Sequence, residues 1–192
     1  IEAVRGIDLT IRRGEVLGVI GESGSGKTVS MTALLRLLPD NARVSADVLA
    51  FDGEPILAPS ADAFRAWRGR RLAMIFQNPM SSLHPLYPIG WQIVEMIRAN
   101  EPVPRARAYA RAIELLGHVG IPRPERRVND YPHQYSGGMQ QRAMIAMAIA
   151  LNPRILVADE PTTALDVTVQ AQILRLLRRL QEEHGTAIIM IT

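Results

Sequence analysis

A glycine-rich segment near the start of the chain has the residue types and spacing of a phosphate-binding loop. Gly21 is followed by four residues and then by Gly26, Lys27 and Thr28. Glycines let the backbone approach an anion without an intervening Cβ, and the amides that open a helix present partial positive charge to phosphate. The pattern predicts that Lys27 reaches the β- and γ-phosphates of ATP and that Thr28 offers its hydroxyl to Mg2+. The predicted ATP-binding residues are Gly21, Glu22, Ser23, Gly24, Ser25, Gly26, Lys27 and Thr28.

Two adjacent carboxylates follow a short apolar run in the second half of the chain. Residues 155–158 are all apolar, and Asp159 and Glu160 come directly after them. The carboxyl ends of parallel strands lie at one edge of a sheet, so both carboxylates are expected beside the phosphate loop. We expect Asp159 to act on Mg2+, directly or through water, and Glu160 to polarise the attacking water. The alternative is an ordinary strand end before the turn at Pro161, which the upstream phosphate loop disfavours.

A third segment predicts a second anion-binding helix start. Ser136 suits the N-cap position, and Gly137 and Gly138 leave backbone amides accessible. The first loop already encloses the phosphates of its own nucleotide. The segment therefore suggests a head-to-tail dimer in which the Ser136 loop of one chain closes over the nucleotide of the other. A well-capped structural helix is the alternative interpretation of this segment taken alone.

Composition limits the other function classes. The 192 residues are 47% apolar and carry a net charge of +3, which indicates one domain with an arginine-rich surface and no nucleic-acid partner. Lys27 is the only lysine, so this position selects an ammonium group specifically. There is no cysteine, and the spacing of the four histidines, at 84, 118, 133 and 184, does not converge on a metal site. No apolar run approaches the ~18–20 residues that span a bilayer.

Hydrophobic periodicity predicts alternating strands and helices. The predicted strands are residues 7–11, 15–20, 44–51, 72–76, 155–158 and 187–191. The predicted helices are residues 27–38, 64–71, 89–99, 105–119, 137–151 and 167–183. Fully apolar strands that alternate with helices indicate a parallel sheet covered on both faces. The segment 77–131, rich in Pro and Arg, is interpreted as part of an inserted helical lobe.

Five motifs in this order resemble those of the ABC ATPase family. Residues 21–28 match its Walker A loop and Asp159-Glu160 its Walker B end; Gln77 matches the Q-loop glutamine, residues 136–139 the signature, and residues 164–166 the D-loop. The resemblance implies that Gln77 senses Mg2+ and the γ-phosphate and that Asp166 lies at a dimer interface. It also implies that the signature residues contact the partner's ATP, namely Ser136, Gly137, Gly138 and Met139.

The same resemblance implies a fold. We expect an α/β P-loop NTPase with a mostly parallel core sheet, an antiparallel β edge and an inserted α-helical subdomain. Residues 1–77 and 152–192 are expected to form the RecA-like core with the β edge, and residues 78–151 the helical subdomain with the signature motif. All 192 residues would be one nucleotide-binding domain, truncated at both ends.

Longer stretches are similar to the oligopeptide, dipeptide and nickel importer subfamily. These are residues 74–85, 131–139 and 164–172, and Met139 stands where most ABC proteins have Gln. The implied function is an ATP-hydrolysing subunit that energises import of peptides, nickel or a related small solute. The implied partners are a second ATP-binding domain, transmembrane permease subunits and, indirectly, a solute-binding protein. The implied location is peripheral, on the cytoplasmic face of the inner membrane.

Two alternatives concern the role of the chain and one concerns its extent. An ABC ATPase without a transport role, such as a phosphonate-metabolism accessory protein, resembles the same subfamily. A DNA-repair ABC ATPase is disfavoured because no sustained heptads separate Lys27 from Ser136. By resemblance, an adenine-stacking aromatic residue would precede Ile1 and a switch histidine would follow Thr192. We therefore expect the chain taken alone to be an internal fragment that binds ATP weakly and hydrolyses it poorly.

Overall fold

A computed structural model describes residues 2–57, 60–162 and 165–192, apart from the side chain of Ser81. Its strands are β1 (Val16–Val19), β2 (Ala50–Phe51), β3 (Glu54–Pro55), β4 (Leu72–Ile75), β5 (Ile155–Asp159) and β6 (Ala187–Ile191). Four of them form a parallel sheet in the order β1-β6-β5-β4. The other two, β2 and β3, form a separate antiparallel pair. The expected α/β fold with a parallel core sheet and an antiparallel part is therefore confirmed.

The parallel sheet is buried on both faces. Alternate residues of β4, β5 and β6 belong to two different apolar clusters, as Ile75 and Leu156 do on one face and Met74 and Val157 on the other. Successive side chains of a strand point to opposite faces, so a strand buried on both faces must be apolar throughout. This explains why the apolar runs of the sequence lack polar alternation.

Helices cover the sheet and form the lobe inserted between β4 and β5. They are α1 (Lys27–Leu34), α2 (Ala61–Arg65), α3 (Pro79–Ser82), α4 (Ile89–Asn100), α5 (Arg105–His118), α6 (Pro124–Arg127), α7 (Gly137–Ile149) and α8 (Val167–His184). A 3-10 turn, Pro132–Gln134, precedes α7. Helices α3 to α7 all lie between two neighbouring strands, β4 and β5, which places the lobe as an insertion. Within the described ranges, none of the helices is both long and apolar enough to cross a membrane.

Two predicted strands differ from the structure. The predicted strand at residues 7–11 is wrong, because no described strand pairs with this segment and Ile7 is 58% exposed. Alternation of apolar residues permits a strand, but only a hydrogen-bonded partner makes one. The strand predicted over residues 44–51 is limited to Ala50–Phe51, where β3 supplies the partner.

The first helix is shorter than predicted, because its end is held by another segment. It stops at Leu34, and Arg36 has a positive φ of 52°. The guanidinium of Arg68 donates to the carbonyl oxygens of Leu35 and Arg36 at 3.0 and 2.7 Å. These bonds satisfy acceptors that a longer helix would have paired internally. Helix α2, likewise, ends at Arg65 rather than at the predicted residue 71.

Candidate active site

The loop between β1 and α1 has a backbone that glycine alone adopts easily. Gly24 and Gly26 have φ angles of 79° and 92°, in the left-handed region that other residues avoid. A Cβ added to Gly26 would also lie 3.1 Å from the carbonyl oxygen of Ala3. Gly21 has a different requirement, since its added Cβ would lie 3.0 Å from the hydroxyl of Ser25. The glycines are thus needed for the shape of the loop itself.

Lys27 opens α1 and folds its side chain back over the loop. Its ammonium donates to the carbonyl oxygens of Gly21 and Glu22, the latter at 2.9 Å. An ammonium has three donors, so these two bonds hold the charge over the loop and leave a donor for a ligand. The N-terminus of α1 adds the positive partial charge of the helix dipole, and no acidic residue lies in the first turn to cancel it. The loop is therefore electrostatically suited to an anion.

Thr28 and Asp159 meet at the carboxyl edge of the sheet. The hydroxyl of Thr28 donates to a carboxylate oxygen of Asp159 at 2.8 Å. Asp159 ends β5 and is only 3% exposed. Burial raises the pKa of its carboxyl group, and the charge of Glu160 adds to that effect; the Thr28 hydrogen bond and the charge of Lys27 act in the opposite direction. A cation bound at this carboxylate would offset its desolvation.

Gln77 and Glu160 form a second pair beside the first. The side-chain amide of Gln77 donates to a carboxylate oxygen of Glu160 at 2.8 Å. The two residues follow β4 and β5, which are adjacent parallel strands, so their side chains reach the same edge. Glu160 has a φ of 44°, uncommon for a residue with a Cβ. This backbone turn gives the two neighbouring carboxylates different hydrogen-bond partners.

The donor set fits Mg2+ bound together with phosphate. Thr28, Asp159 and Gln77 supply hydroxyl, carboxylate and amide oxygens, which are the hard ligands that this ion prefers. The described ranges contain no group of three or more His, Cys, Asp or Glu side chains arranged to hold a metal. In nucleotide sites Mg2+ is held by one or two carboxylates with phosphates and water, and one buried carboxylate beside a hydroxyl suits that arrangement.

The signature segment, Ser136 to Met139, forms a second accessible helix start. Ser136 caps α7, its hydroxyl accepting from the amide of Met139 at 3.4 Å. Ser136 and Gly137 are exposed, and a Cβ added to Gly137 would meet nothing within 4 Å. Among the hydrogen bonds of the described residues, none joins this loop to the Lys27 loop. The chain thus carries two separate glycine-containing helix starts, at α1 and at α7.

Two further features concern the segment after Glu160. Asp166 caps α8, its carboxylate accepting from the amide of Val169 at 3.0 Å, while Ala164 of the predicted D-loop lies outside the described residues. Sequence reasoning missed Gln141, whose buried side-chain amide donates to the carbonyl oxygen of Pro161 at 2.9 Å. The available signal was the glutamine pair Gln140-Gln141 in a helix whose later residues, 143–149, are all apolar.

Known proteins match this chain along its whole length. Residues 4–163 match the family described as ABC transporter. Identity is 51% to a probable peptide ABC transporter ATP-binding protein of Sinorhizobium fredii, 47% to the oligopeptide transport ATP-binding protein OppD of Bacillus subtilis and 50% to the dipeptide transport ATP-binding protein DppD of Escherichia coli. These alignments cover 99%, 100% and 99% of this chain but only 57%, 54% and 58% of the relatives. The chain therefore spans little more than half the length of these curated relatives.

Solved structures agree with the family match. The ATP-binding cassette MJ0796, in a dimeric post-hydrolysis state bound to ADP and Pi, superposes with a TM-score of 0.86 at 30% identity. That alignment covers 99% of this chain and 79% of the other. The cbiO1 protein of Clostridium perfringens, part of the ABC transporter complex cbiONQ, gives a TM-score of 0.78 at 28% identity, with 99% and 71% coverage. With most of its residues matched in sequence and nearly all in structure, this chain belongs to the ABC transporter family.

Proposed function

We propose that this chain binds ATP at the Lys27 loop and hydrolyses it with Glu160. The observation that carries the proposal is the pairing of two hydrogen bonds at one sheet edge, Thr28 to Asp159 and Gln77 to Glu160, each 2.8 Å long. A hydroxyl, an ammonium and two carboxylates in different surroundings are the groups that phosphoryl transfer to water requires. The post-hydrolysis state of the MJ0796 cassette, bound to ADP and Pi, supports the same reaction.

Each residue has a proposed part in this site. The amides of the loop from Gly21 to Thr28 and the ammonium of Lys27 bind the phosphates and oppose the charge that develops on them. When bound, Mg2+ supplies further positive charge at the phosphate oxygens, and Thr28, Asp159 and Gln77 would hold it. Glu160 accepts a proton from the attacking water, and Gln77 orients that carboxylate through its amide.

The second helix start is proposed to complete the site of another ATP-binding domain. Ser136, Gly137, Gly138 and Met139 would contact the phosphates that the partner's own loop holds, and Asp166 would lie at the interface. The accessibility of Ser136 and Gly137 supports this role. The dimeric state of the MJ0796 cassette supports the assembly. The partner is a second copy of this chain or a related domain.

The transport roles for which three relatives are named support a role in peptide import. The proposed partners are transmembrane permease subunits and, through them, a solute-binding protein, which places the chain peripherally on the cytoplasmic face of the inner membrane. We assign the core to residues 1–77 and 152–192 and the lobe to residues 78–151; the lobe would receive the permease. Three relatives named for peptide, oligopeptide or dipeptide transport favour peptides over nickel as the solute.

Binding and hydrolysis are separated by two variants of the protein expressed from its complete gene. Lys27→Ala should weaken ATP binding at least about tenfold, because it removes a charged group that contacts phosphate. Glu160→Gln should leave the ATP dissociation constant within about twofold and lower the hydrolysis rate roughly 100-fold or more, a typical loss for a general base. Binding is measured by equilibrium titration and hydrolysis by phosphate release.

The matched control for the charge change is Glu95→Gln. Glu95 lies on α4, 43% exposed and 3.6 Å from Arg98, outside the candidate active site. Its variant should hydrolyse ATP at the wild-type rate. Hydrolysis by Glu160→Gln at the rate of the Glu95→Gln control would contradict the assignment of the base.

A further inference from the structure

The turn that follows β5 has a strained backbone and is held from three sides. Glu160 has its φ of 44° here, and such a conformation persists only where the surrounding structure enforces it. The amide of Glu160 donates to the carbonyl oxygen of Ile191 on β6 at 3.1 Å. On another side, Gln170 of α8 donates to the carbonyl oxygen of Thr162 at 3.0 Å. These bonds hold the turn at its first and third residues.

The third hydrogen bond to this turn comes from α7, the helix that begins with the signature segment and is called the signature helix below. Gln141 of α7 is 4% exposed, and its amide donates to the carbonyl oxygen of Pro161 at 2.9 Å. Pro161, the middle residue of the turn, is buried. If the amide of Gln141 is removed, the carbonyl oxygen of Pro161 loses this hydrogen bond and has no ready replacement from water. Burying a glutamine side chain is costly unless its polar atoms are hydrogen-bonded, and this contact pairs the amide of Gln141.

The position of Gln141 joins two parts of the proposed mechanism. It lies two residues after Met139, at the start of the helix that presents Ser136 and Gly137. Its hydrogen bond ends one residue after Glu160, whose carboxylate contacts Gln77. A shift of the first turns of α7 would therefore act on the backbone that aims the proposed base. Ser136 offers no such connection, since its hydrogen bonds with the described residues stay within the first turn of α7.

We propose that Gln141 is a positioning residue for Glu160. Its amide holds the Glu160–Pro161 backbone so that the carboxylate stays beside Gln77, and it ties that carboxylate to the signature helix of the same chain. The inference rests on the proposed hydrolytic role of Glu160. It adds that the geometry of the base depends on a helix whose start faces the other domain's nucleotide.

The test compares the steady-state kinetics of Gln141→Met with wild type in the protein expressed from its complete gene. Methionine keeps the length of the side chain and lacks the donor. The expected result is a kcat lower by roughly 10- to 100-fold, as misplaced catalytic groups show, with the KM for ATP within about twofold. In a Glu160→Gln background the same substitution should lower the single-turnover rate by less than about twofold, because residues that act as a unit are not additive.

Gln181→Met is the matched control, and Gln141→Glu is a second variant. Gln181 lies near the C-terminal end of α8 and donates to the backbone carbonyl of Gly14 at 2.6 Å. Because this hydrogen bond does not involve the turn after β5, Gln181→Met should keep the wild-type kcat. Gln141→Glu keeps the shape of the side chain but donates only when its carboxyl is protonated. The ratio of its kcat to the wild-type kcat should therefore rise as pH falls.

The outcomes separate this inference from the proposed function. An unchanged kcat in Gln141→Met beside an inactive Glu160→Gln overturns the positioning role alone. The positioning role is also overturned if Gln141→Met lowers the hydrolysis rate by the same factor in the Glu160→Gln background as in wild type. Gln141 would then act independently of Glu160. Hydrolysis that survives Glu160→Gln contradicts the proposed base itself, and with it the basis for a residue that positions the base.

Discussion

The carboxylate of Asp159 illustrates how the site sets function against stability. It lies buried at a strand end, and burial raises its pKa, with the neighbouring charge of Glu160 adding to the effect. A raised pKa means that the folded chain binds this proton more tightly than the unfolded chain does. The ionised form that a cation needs is therefore the form that the fold disfavours. The hydrogen bond from Thr28 and the charge of Lys27 offset part of this cost.

Asp159→Asn should therefore raise the melting temperature while abolishing hydrolysis. The protonated carboxyl contributes its stability below the unfolded pKa of about 3.9, and that contribution is lost as pH rises through the higher folded pKa. An amide avoids the loss, so the gain should be present at pH 7 and should vanish near pH 3. Each 1 kcal/mol corresponds to roughly 2–4 °C at this size. Thermal melts at both pH values measure it.

Asp8→Asn is the control for this prediction, because Asp8 is exposed and far along the chain from β5. It should leave the melting temperature unchanged at either pH. A melting temperature of Asp159→Asn that is lower than wild type at pH 7 would contradict the account of a buried, disfavoured charge.

At the scale of elements, two glycine-rich helix starts have different physical reasons for glycine. Gly26 needs it for its φ of 92° and for the nearby Ala3 carbonyl. Gly137 has neither need, since it lies within α7 and its added Cβ would meet open space. A glycine that the fold does not require is explained by what must approach it. This contrast distinguishes a glycine that the loop requires, Gly26, from one at the proposed interface, Gly137.

Gly137→Ala should leave stability unchanged or improve it by about 0.4–1 kcal/mol, as Gly to Ala changes do at compatible positions. It should nevertheless slow ATP hydrolysis, because the new methyl group would stand on the surface that meets the partner's phosphates. Gly26→Ala, in contrast, should lower stability by about 1–3 kcal/mol. Denaturant unfolding and phosphate release separate the two effects. Hydrolysis unaffected by Gly137→Ala would contradict the proposed interface.

The packing of α4 in the lobe depends on another glycine. A Cβ added to Gly90 would lie 2.2 Å from a methyl carbon of Val128 and 2.6 Å from its carbonyl oxygen, which also accepts from the Gly90 amide at 2.8 Å. Gly90→Ala should therefore lower the unfolding free energy by about 2–4 kcal/mol. Gly117→Ala on α5 meets Pro124 at an ordinary 3.7 Å and should be neutral or stabilising. Equal melting points for the two variants would contradict this packing.

The elements of the core were predictable because their signals are local. Apolar runs predicted β4, β5 and β6, and glycine spacing predicted the Lys27 loop. The predictions of a strand at residues 7–11 and of a long strand at residues 44–51 were wrong, because strand formation depends on a pairing partner that the local pattern does not reveal. The same limit applies to the site. Asp159 and Glu160 were predictable from a strand end, whereas the contact of Gln141 with Pro161 joins residues 20 positions apart in the chain.

In the whole molecule, the two helix starts would serve two different nucleotide sites if the chain forms the proposed dimer. The Lys27 loop is joined to Asp159 by the hydrogen bond from Thr28, while the Ser136 loop is exposed and has no hydrogen bond to either of them among the described residues. A dimer with two equivalent contacts would pair each loop with the other chain's Ser136. Hydrolysis would then require assembly, and the hydrogen bond of Gln141 would connect the two sites within each chain.

Mixing two inactive variants tests whether each active site is built from two chains, with ATP hydrolysis by the wild-type protein alone as the reference. Lys27→Ala inactivates one loop, Ser136→Arg blocks the other, and each variant alone should be inactive. In a mixed dimer both defects fall on one site, so the second site is intact. A 1:1 mixture should then recover about a quarter of the wild-type rate if subunits pair at random and sites act independently. A mixture as inactive as either variant would show that both loops serve the same chain's site, which would contradict the account.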